Sequence, residues 1–162
     1  MALGKNIGPH TAVGFPEQDA GVEAFRKRRR DAAGLTTVMA GGGLQNLFRL
    51  RAVLERGETV IMLVDRSVGK DSVQVRLRER FATFLRSPAL LAELADAWAL
   101  PAAVMADGPG RYLALVGEPC RRPKERCDAD VVMQRAAGFF GELLERYPDQ
   151  WYNFFRYWRE AP

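Results

Sequence analysis

The apolar positions along this chain recur with two periods, one helical and one strand-like. Segments whose apolar residues return every three or four positions predict helices over residues 18–33, 44–54, 87–98 and 128–146. Apolar or β-branched runs predict strands over residues 35–40, 58–64, 73–77, 101–106 and 112–116. Residues 35–40 are expected to be buried, and the almost wholly apolar run 58–64 is typical of a sheet covered on both faces. Because strands alternate with helices before a hairpin and C-terminal helices, the chain is predicted to be α/β, with a mixed sheet flanked by helices.

The chain is predicted to form a single structural unit over residues 1–162, since no internal repeat or linker interrupts it. Residues 1–17 are expected to be a loop-like lead-in, and residues 18–147 the α/β core. Residues 148–162 form an aromatic segment that is expected to begin with a short helix. No apolar run reaches the roughly 18 residues that would cross a bilayer, and the first residues lack the apolar centre of a signal peptide.

The charge balance is moderately basic. Lys and Arg number 24 against 20 Asp and Glu, which gives a net charge of +4 and a pI near 9.4. Such an excess fits a solvated face, or contact with nucleic acid, anionic lipid or phosphorylated small molecules. No zinc-finger, RNP-type aromatic or helix-turn-helix spacing is found, which disfavours nucleic acid. Two Cys and one His cannot complete a four-ligand zinc site without carboxylates, so no metal is predicted.

A run of five basic residues, 26–30, lies within the first predicted helix. Consecutive helical residues point in all directions, so a solvated helix face is one interpretation. A clamp for phosphate or carboxylate is a second, because Arg binds such groups through two hydrogen bonds. Attraction to an anionic membrane surface is a third.

Three other positions are weaker candidates for chemistry. Asp65 follows the apolar run 58–64, and ligands of open α/β sheets bind at the carboxyl ends of strands; an Asp that caps the following turn is the alternative. Gly41–Gly43 could present free N–H groups to an anion, although a flexible connection is favoured. A catalytic role is disfavoured for His10, the single histidine, because its nearest acidic residue in the sequence is Glu17.

Five segments of the chain together resemble one known family. They are LTTVMA after the basic helix, LQNLFRLRAVLERGETVIMLVDRSVG, FATFLRSPALLAELADAWALPAAVMA, RYLALVGEP and ERYPDQWYNFFRYW. Their order, and above all the Pro-Asp-Gln-Trp motif, resembles the bacterial lipid A biosynthesis acyltransferases of the lauroyl/myristoyl type, within the lysophospholipid acyltransferase superfamily. The resemblance covers roughly residues 22–160, nearly the whole chain.

The resemblance implies the C-terminal half of a glycerolipid-acyltransferase-like fold. It also implies transfer of a fatty acyl group from an acyl carrier protein or a CoA thioester to a hydroxyl of a lipid A-type glycolipid. The base in that family is the His of a His-x-x-x-x-Asp/Glu dyad, but five residues after His10 stands Phe15. The chain alone is therefore expected to be an incomplete, inactive acyltransferase. A non-catalytic module that binds anionic lipid or a partner is the alternative.

The resemblance implies roles for a few residues, none of them catalytic. Arg30 is expected to contact phosphate or the carrier, with Arg28 or Arg29 as alternatives because the basic run leaves the register open. Asp65 is expected to support the active site and to bind substrate. Arg66, its neighbour in the sequence, is a further candidate for substrate binding, although the resemblance itself does not imply it. The family usually has Phe-Phe-Gly where this chain has the sequence LRER at 77–80.

The implied partners are an acyl carrier protein or acyl-CoA donor, a glycolipid acceptor and an anionic membrane surface. No cofactor, metal or nucleic acid is implied. The expected location is the cytoplasmic face of the inner membrane, reached peripherally or through a membrane helix outside this sequence.

Overall fold

The computed structural model of the chain describes residues 8–41, 43–65, 71–126, 128–153 and 157–158. Within these residues the helices are α1 (Ala20–Ala32), α2 (Gly43–Glu55), α3 (Ser87–Leu94) and α4 (Ala129–Arg146), followed by a 3₁₀ turn at Pro148–Gln150. The strands are β1 (His10–Gly14), β2 (Thr36–Met39), β3 (Thr59–Ile61), β4 (Ser72–Leu77), β5 (Arg80–Leu85), β6 (Ala102–Ala106) and β7 (Tyr112–Val116). Helices combined with both parallel and antiparallel strands confirm the α/β class.

The chain divides into two compact units, Met1–Leu63 and Val64–Pro162, which are described separately below. The organisation as a single structural unit stays a prediction. Among the described residues, no helix combines the length and the apolar character that crossing a membrane would require.

The first unit is built on a parallel sheet with the order β2-β1-β3. Its central strand, β1, corrects the expectation that residues 1–17 are loop-like. Thr11 pairs with Thr36 on one side and Val60 on the other, and it is 3% exposed. A five-residue strand with a polar start has little local signal, because its stability comes from pairing with segments distant in the sequence.

The two outer strands of this sheet are less buried than their apolar sequences predict. No residue of β2 is fully buried, and β3 ends at Ile61 rather than at residue 64. Ile61 is 40% exposed and Leu63 is 56% exposed. Both strands lie at sheet edges, and α1 contributes no buried residue while α2 contributes only Leu50 and Val53. The expectation that residues 58–64 are covered on both faces is therefore wrong.

In the second unit, β4 and β5 form an antiparallel hairpin that packs against α4. Residues 73–77 alternate as predicted, with the apolar positions buried and Gln74 and Arg76 exposed. Strand β5 was not predicted, because residues 80–85 lack a polar/apolar alternation: Ala82, Phe84 and Leu85 are all buried. The segment 77–80 contains the hairpin turn, in which Arg78 has φ +59°.

The remaining helix and hairpin of this unit follow the prediction with one correction. Strands β6 and β7 pair antiparallel across the turn at residues 107–110. Helix α3 ends at Leu94 rather than reaching residue 98, and Asp96 has φ +46° just beyond it. The helix begins at Ser87, and the residue before it, Arg86, makes no capping hydrogen bond with its side chain. Trp98 consequently lies outside the helix.

Candidate functional site

The basic run 26–30 lies on α1, in the first unit, and its members have different surroundings. Helix α1 begins after Asp19, whose carboxylate accepts the backbone N–H of Val22 at 2.8 Å. Three of the basic side chains form ion pairs: Arg26 with Glu17, Lys27 with Asp31 and Arg30 with Glu23. Arg28 and Arg29 are exposed and form no ion pair with the described residues. The structure thus separates Arg30 from the two alternatives that the sequence left open.

Arg30 is the most enclosed member of the run. Its side chain is 22% exposed, and its Nη2 donates to Glu23 Oε1 at 2.7 Å. Its Nε is buried and has no hydrogen-bond partner among the described residues, and the same is true of Thr37 Oγ1 on β2. Buried donors without partners are uncommon in folded proteins. Arg30 Nε and Thr37 Oγ1 are therefore two buried polar atoms whose hydrogen bonds the described residues do not supply.

Arg30 and Thr37 line an open groove of about 590 Å³ on the first unit. Gly14, at the carboxyl end of β1, lies close to both of these side chains. A Cβ at this position would be 3.1 Å from Thr37 Cγ2 and 4.0 Å from Arg30 Nη1, so a larger residue would crowd Thr37. The groove is also lined by Glu23, Lys27 and Asp31. Two cations and two carboxylates thus line the groove, so its charged side chains give little net attraction for an anion.

Glu23 holds Arg30 in place. The backbone N–H of Glu17 donates to Glu23 Oε2 at 3.1 Å. This hydrogen bond, together with the guanidinium of Arg30, keeps the pKa of Glu23 below its ordinary value. The carboxylate is therefore charged at neutral pH and fixes one edge of the guanidinium.

Asp65 belongs to the second unit, where the C-terminal segment holds it. The backbone N–H of Leu85 donates to Val64 O at 2.7 Å, which ties the start of this unit to β5. Trp151 Nε1 donates to Asp65 Oδ2 at 3.0 Å, and Asn153 Nδ2 donates to the same oxygen at 3.4 Å. Burial raises the pKa of Tyr157, and the charge of Asp65 raises it further. Asp65 is thus an anchored hydrogen-bond acceptor, while Arg66 lies outside the described residues.

Two side chains of the Pro-Asp-Gln-Trp motif, those of Gln150 and Trp151, make separate contacts in the second unit. The side chain of Gln150 accepts the backbone N–H of Ala106 at 2.7 Å and donates to Ala106 O at 3.1 Å, on the edge of β6. Trp151 binds Asp65, and its ring packs edge-on against Tyr157 and Trp158 at centroid distances of 4.5 Å and 5.7 Å. Sequence reasoning singled out Asp65 and this motif but did not connect them. The sequence offered one clue to this contact: a Trp that is buried through most of its ring needs an acceptor for its indole N–H, and a carboxylate such as that of Asp65 can supply one.

Neither His10 nor Cys120 lies in surroundings that would activate its side chain for catalysis. His10 begins β1 at the amino end of the parallel sheet, and its Nδ1 lies 3.1 Å from Gly8 O. Ligands of open α/β sheets bind at the opposite, carboxyl ends of the strands. Cys120 is buried, and burial raises the pKa of its thiol to about 11. In the part of the chain that the structure describes, no three His, Cys, Asp or Glu side chains gather in a way that could hold a metal ion.

Comparison with known proteins gives one result that covers the chain. The family model of the bacterial lipid A biosynthesis acyltransferases matches residues 1–160. No curated protein matches the sequence. The match extends the likeness seen in the sequence to residues before the basic helix, including β1. The chain therefore belongs to the bacterial lipid A biosynthesis acyltransferase family, and its general function is that of an acyltransferase.

Proposed function

We propose that this chain takes part in transferring a fatty acyl group from an acyl carrier protein or CoA thioester to a hydroxyl of a lipid A-type glycolipid. The observation that carries the proposal is the family match over residues 1–160. The thioester carbon is attacked by the hydroxyl oxygen, the C–S bond breaks, and the hydroxyl proton leaves through a general base. The products are the acylated glycolipid and the free thiol of the carrier.

The residues of this chain bind and position substrate in the proposed reaction, and they do not supply the base. The sequence contains one His, and Phe15 stands where the acid of a dyad with His10 would be. A neutral phenyl ring cannot orient an imidazole by a hydrogen bond. The 162 residues alone are therefore expected to give no turnover.

Arg30 is the proposed contact to a phosphate of the glycolipid or of the carrier's prosthetic group. The support is geometric: Glu23 fixes the guanidinium, and both Arg30 Nε and Thr37 Oγ1 lack partners among the described residues. Arg28 and Arg29 are exposed, and they are proposed to attract anionic substrate or membrane without a fixed contact. The proposed location of the reaction is the cytoplasmic face of the inner membrane.

Asp65 is proposed to support the site by position rather than by chemistry. Its carboxylate accepts hydrogen bonds from Trp151 and Asn153, so it fixes the C-terminal segment beside β5. Arg66, the next residue in the chain, keeps its proposed role as a substrate contact.

A second candidate is a non-catalytic module that binds anionic lipid or a partner. Two observations favour it: the dyad is missing from the sequence, and Arg28 and Arg29 are exposed without ion pairs among the described residues. The two candidates differ in one respect, since only the first requires affinity for an acyl donor.

Binding of donor and acceptor tests the proposal. The chain is titrated with a phosphorylated lipid A precursor in detergent, and with an acyl carrier protein whose thioester is replaced by a stable thioether. Arg30→Gln is expected to weaken phosphate-dependent binding by about 10- to 100-fold, the range for a hydrogen bond to a charged group. Arg51→Gln is the matched control, because Arg51 is likewise paired to a carboxylate, Glu55, but lies outside the groove.

The outcomes separate the candidates. Binding of acceptor without donor would favour the non-catalytic module, and binding of neither would exclude the acyltransferase role for this chain. Incubation with a true acyl thioester should leave the acceptor unmodified by mass spectrometry. Product would show that a base other than a His dyad operates here.

A further inference from the structure

The β6–β7 hairpin has an apolar outer face that the rest of the described structure does not cover. From Trp98 to Ala106 every second residue is exposed, and all of these are apolar. The cross-strand partners on the same face are Tyr112, Ala114 and Val116, which are also exposed. We call these alternate residues the hairpin outer face. A strand that meets water normally carries polar residues at such positions.

Basic side chains follow the hairpin outer face at one end. An isolated bridge between Ala99 and Arg121 continues the pairing beyond β6 and β7, and the chain then enters residues 119–126. Arg122, Lys124 and Arg126 are exposed there and form no ion pair within the described residues; we call these three side chains the basic loop. Glu118, the next exposed residue after Val116 in the alternation, ends the apolar face at this point.

The basic loop is held in one conformation by a buried arginine. Arg121 is 3% exposed; its Nη1 donates to Ala97 O at 2.7 Å and its Nη2 to Asp96 Oδ1 at 3.2 Å. Asp96 also accepts the backbone N–H of Lys124 at 2.6 Å, which holds Lys124 at φ +65°. A left-handed conformation is unfavourable for Lys, so the surrounding contacts stabilise this loop against its own backbone preference.

The size of the hairpin outer face argues against a second copy of the chain as its cover. A strand segment of nine residues beside a second strand spans roughly 30 Å by 10 Å, or about 300 Å². A stable protein interface needs about 800 Å² on each partner. Insertion among lipids has no such threshold, since each apolar side chain contributes separately.

We infer that the hairpin outer face and the basic loop together form a docking surface for an anionic lipid bilayer. The apolar side chains enter the boundary between headgroups and acyl chains, and the basic loop contacts lipid phosphates. Charge complementarity supports this choice, because the free cations lie at the rim of the face while its centre carries no charge. Trp98 and Tyr112 are aromatic residues of the kind enriched at membrane interfaces. The inference rests on the proposed function insofar as that function requires a membrane-borne acceptor.

Sedimentation with vesicles tests the docking surface. The chain is mixed with vesicles of phosphatidylcholine alone and of phosphatidylcholine with phosphatidylglycerol, at low and at high salt. Binding is expected to the anionic vesicles, to weaken with salt, and to quench Trp fluorescence when brominated lipids are used. Trp98→Phe should remove most of this quenching, because Trp98 is exposed while Trp151 and Trp158 are partly buried.

Two sets of variants divide the surface. Val104→Asp is expected to weaken vesicle binding by at least about tenfold, which corresponds to the loss of one buried Val side chain. Gln74→Asp is the matched control, since it adds the same charge at an exposed position of β4 and should leave binding unchanged. Replacing any one member of the basic loop by Gln should lower the affinity for anionic vesicles by about fivefold and leave the affinity for neutral vesicles unchanged.

Three results would overturn the inference. These are absence of binding to anionic vesicles at low salt, binding that Val104→Asp does not change, and a dimer in sedimentation equilibrium that Val104→Asp dissociates. The last would assign the face to a second copy. Because the acceptor-binding test of the proposed function is carried out in detergent, the docking surface and the acyltransferase proposal can fail independently.

Discussion

The two hairpins of the second unit share their construction but differ in what covers their faces. Each pairs two antiparallel strands, and each has a Gln side chain bonded in both directions to one backbone residue: Gln134 to Arg76 on β4, and Gln150 to Ala106 on β6. The β4–β5 hairpin buries one face against α4 and places polar residues on β4 toward water. The β6–β7 hairpin is apolar on both faces; one face is exposed, and the other is only partly buried, with Leu113 42% exposed. Alternating burial along the chain is found in both hairpins, in strands β4 and β6. The residue types at the outward positions differ: polar residues are typical of a face in contact with water, and apolar residues are typical of a face that another surface covers.

The largest expected difference between the hairpins is in their contribution to folding. Phe84→Ala in β5 should lower the free energy of unfolding by about 3–5 kcal/mol, because Phe84 is 1% exposed and packs against Phe140. Val104→Ala in β6 should change it by no more than about 0.5 kcal/mol, because Val104 is already in solvent. Urea unfolding followed by Trp fluorescence measures this unit alone, since Trp98, Trp151 and Trp158 all lie within it. Equal losses would contradict the division between covered and uncovered faces.

A smaller effect is expected from the tryptophan that holds Asp65. Trp151→Phe keeps most of the ring but removes the Nε1 donor at 3.0 Å, which leaves Asp65 with the longer bond from Asn153. The loss of a hydrogen bond to a charged group should lower stability by about 1.5–3 kcal/mol. If the double variant Trp151→Phe/Asp65→Asn is no more stable than Trp151→Phe, the lost hydrogen bond to the charged carboxylate is not the cause of the destabilisation.

The two Gln contacts offer the most closely matched comparison. Gln134→Leu and Gln150→Leu each remove two hydrogen bonds to one edge residue, and each should cost about 1–2 kcal/mol at these exposed sites. Amide hydrogen exchange should accelerate at Arg76 in the first variant and at Ala106 in the second. Acceleration at the other hairpin instead would indicate that the contacts are not local.

The smallest effect is a pH dependence of the loop beyond the second hairpin. The backbone N–H of Lys124 and the side chain of Arg121 hold the pKa of Asp96 below its ordinary value of 3.8. A depressed carboxyl pKa stabilises the folded loop above pH 3.8, and this contribution is lost as the pH falls through the lower, folded pKa. The amide resonance of Lys124 should therefore hold its position at neutral pH and move below about pH 4. In Asp96→Asn this movement should disappear.

The sequence predicts the fold best where burial is one-sided. Strand β4 was predictable because its buried and exposed residues differ in polarity, and β6 and β7 because a glycine-containing turn separates two apolar runs. Strand β1 could not be predicted in this way, since its stability comes from pairing with β2 and β3 on both sides. Strand β5 could not be predicted from alternation, because Phe81 and Leu85 on one of its faces are as apolar as Ala82 and Phe84 on the other.

The candidate site was only partly predictable for a related reason. The basic run predicts that one arginine contacts substrate. The surroundings that distinguish Arg30, namely its ion pair with Glu23 and its position near Thr37, involve residues outside the run and could not be read from it. Asp65 was identified by position, yet its partner Trp151 is 86 residues away. Contacts of that span follow from the packing of whole elements and leave no local periodicity. The roles of Arg28, Arg29, Arg30, Asp65 and Arg66 all stay predictions.

The side chain of Gln150 covers the end of strand β6. A side-chain amide that bonds both backbone groups of Ala106 occupies the position a neighbouring strand would take. Proteolytic trimming of the chain before Gln150 would uncover this edge beside an already exposed apolar face, and would remove Trp151 from Asp65 in the same cut. A clipped molecule would then be prone to form intermolecular sheets. The C-terminal segment thus protects the end of β6 from pairing with a strand of another molecule.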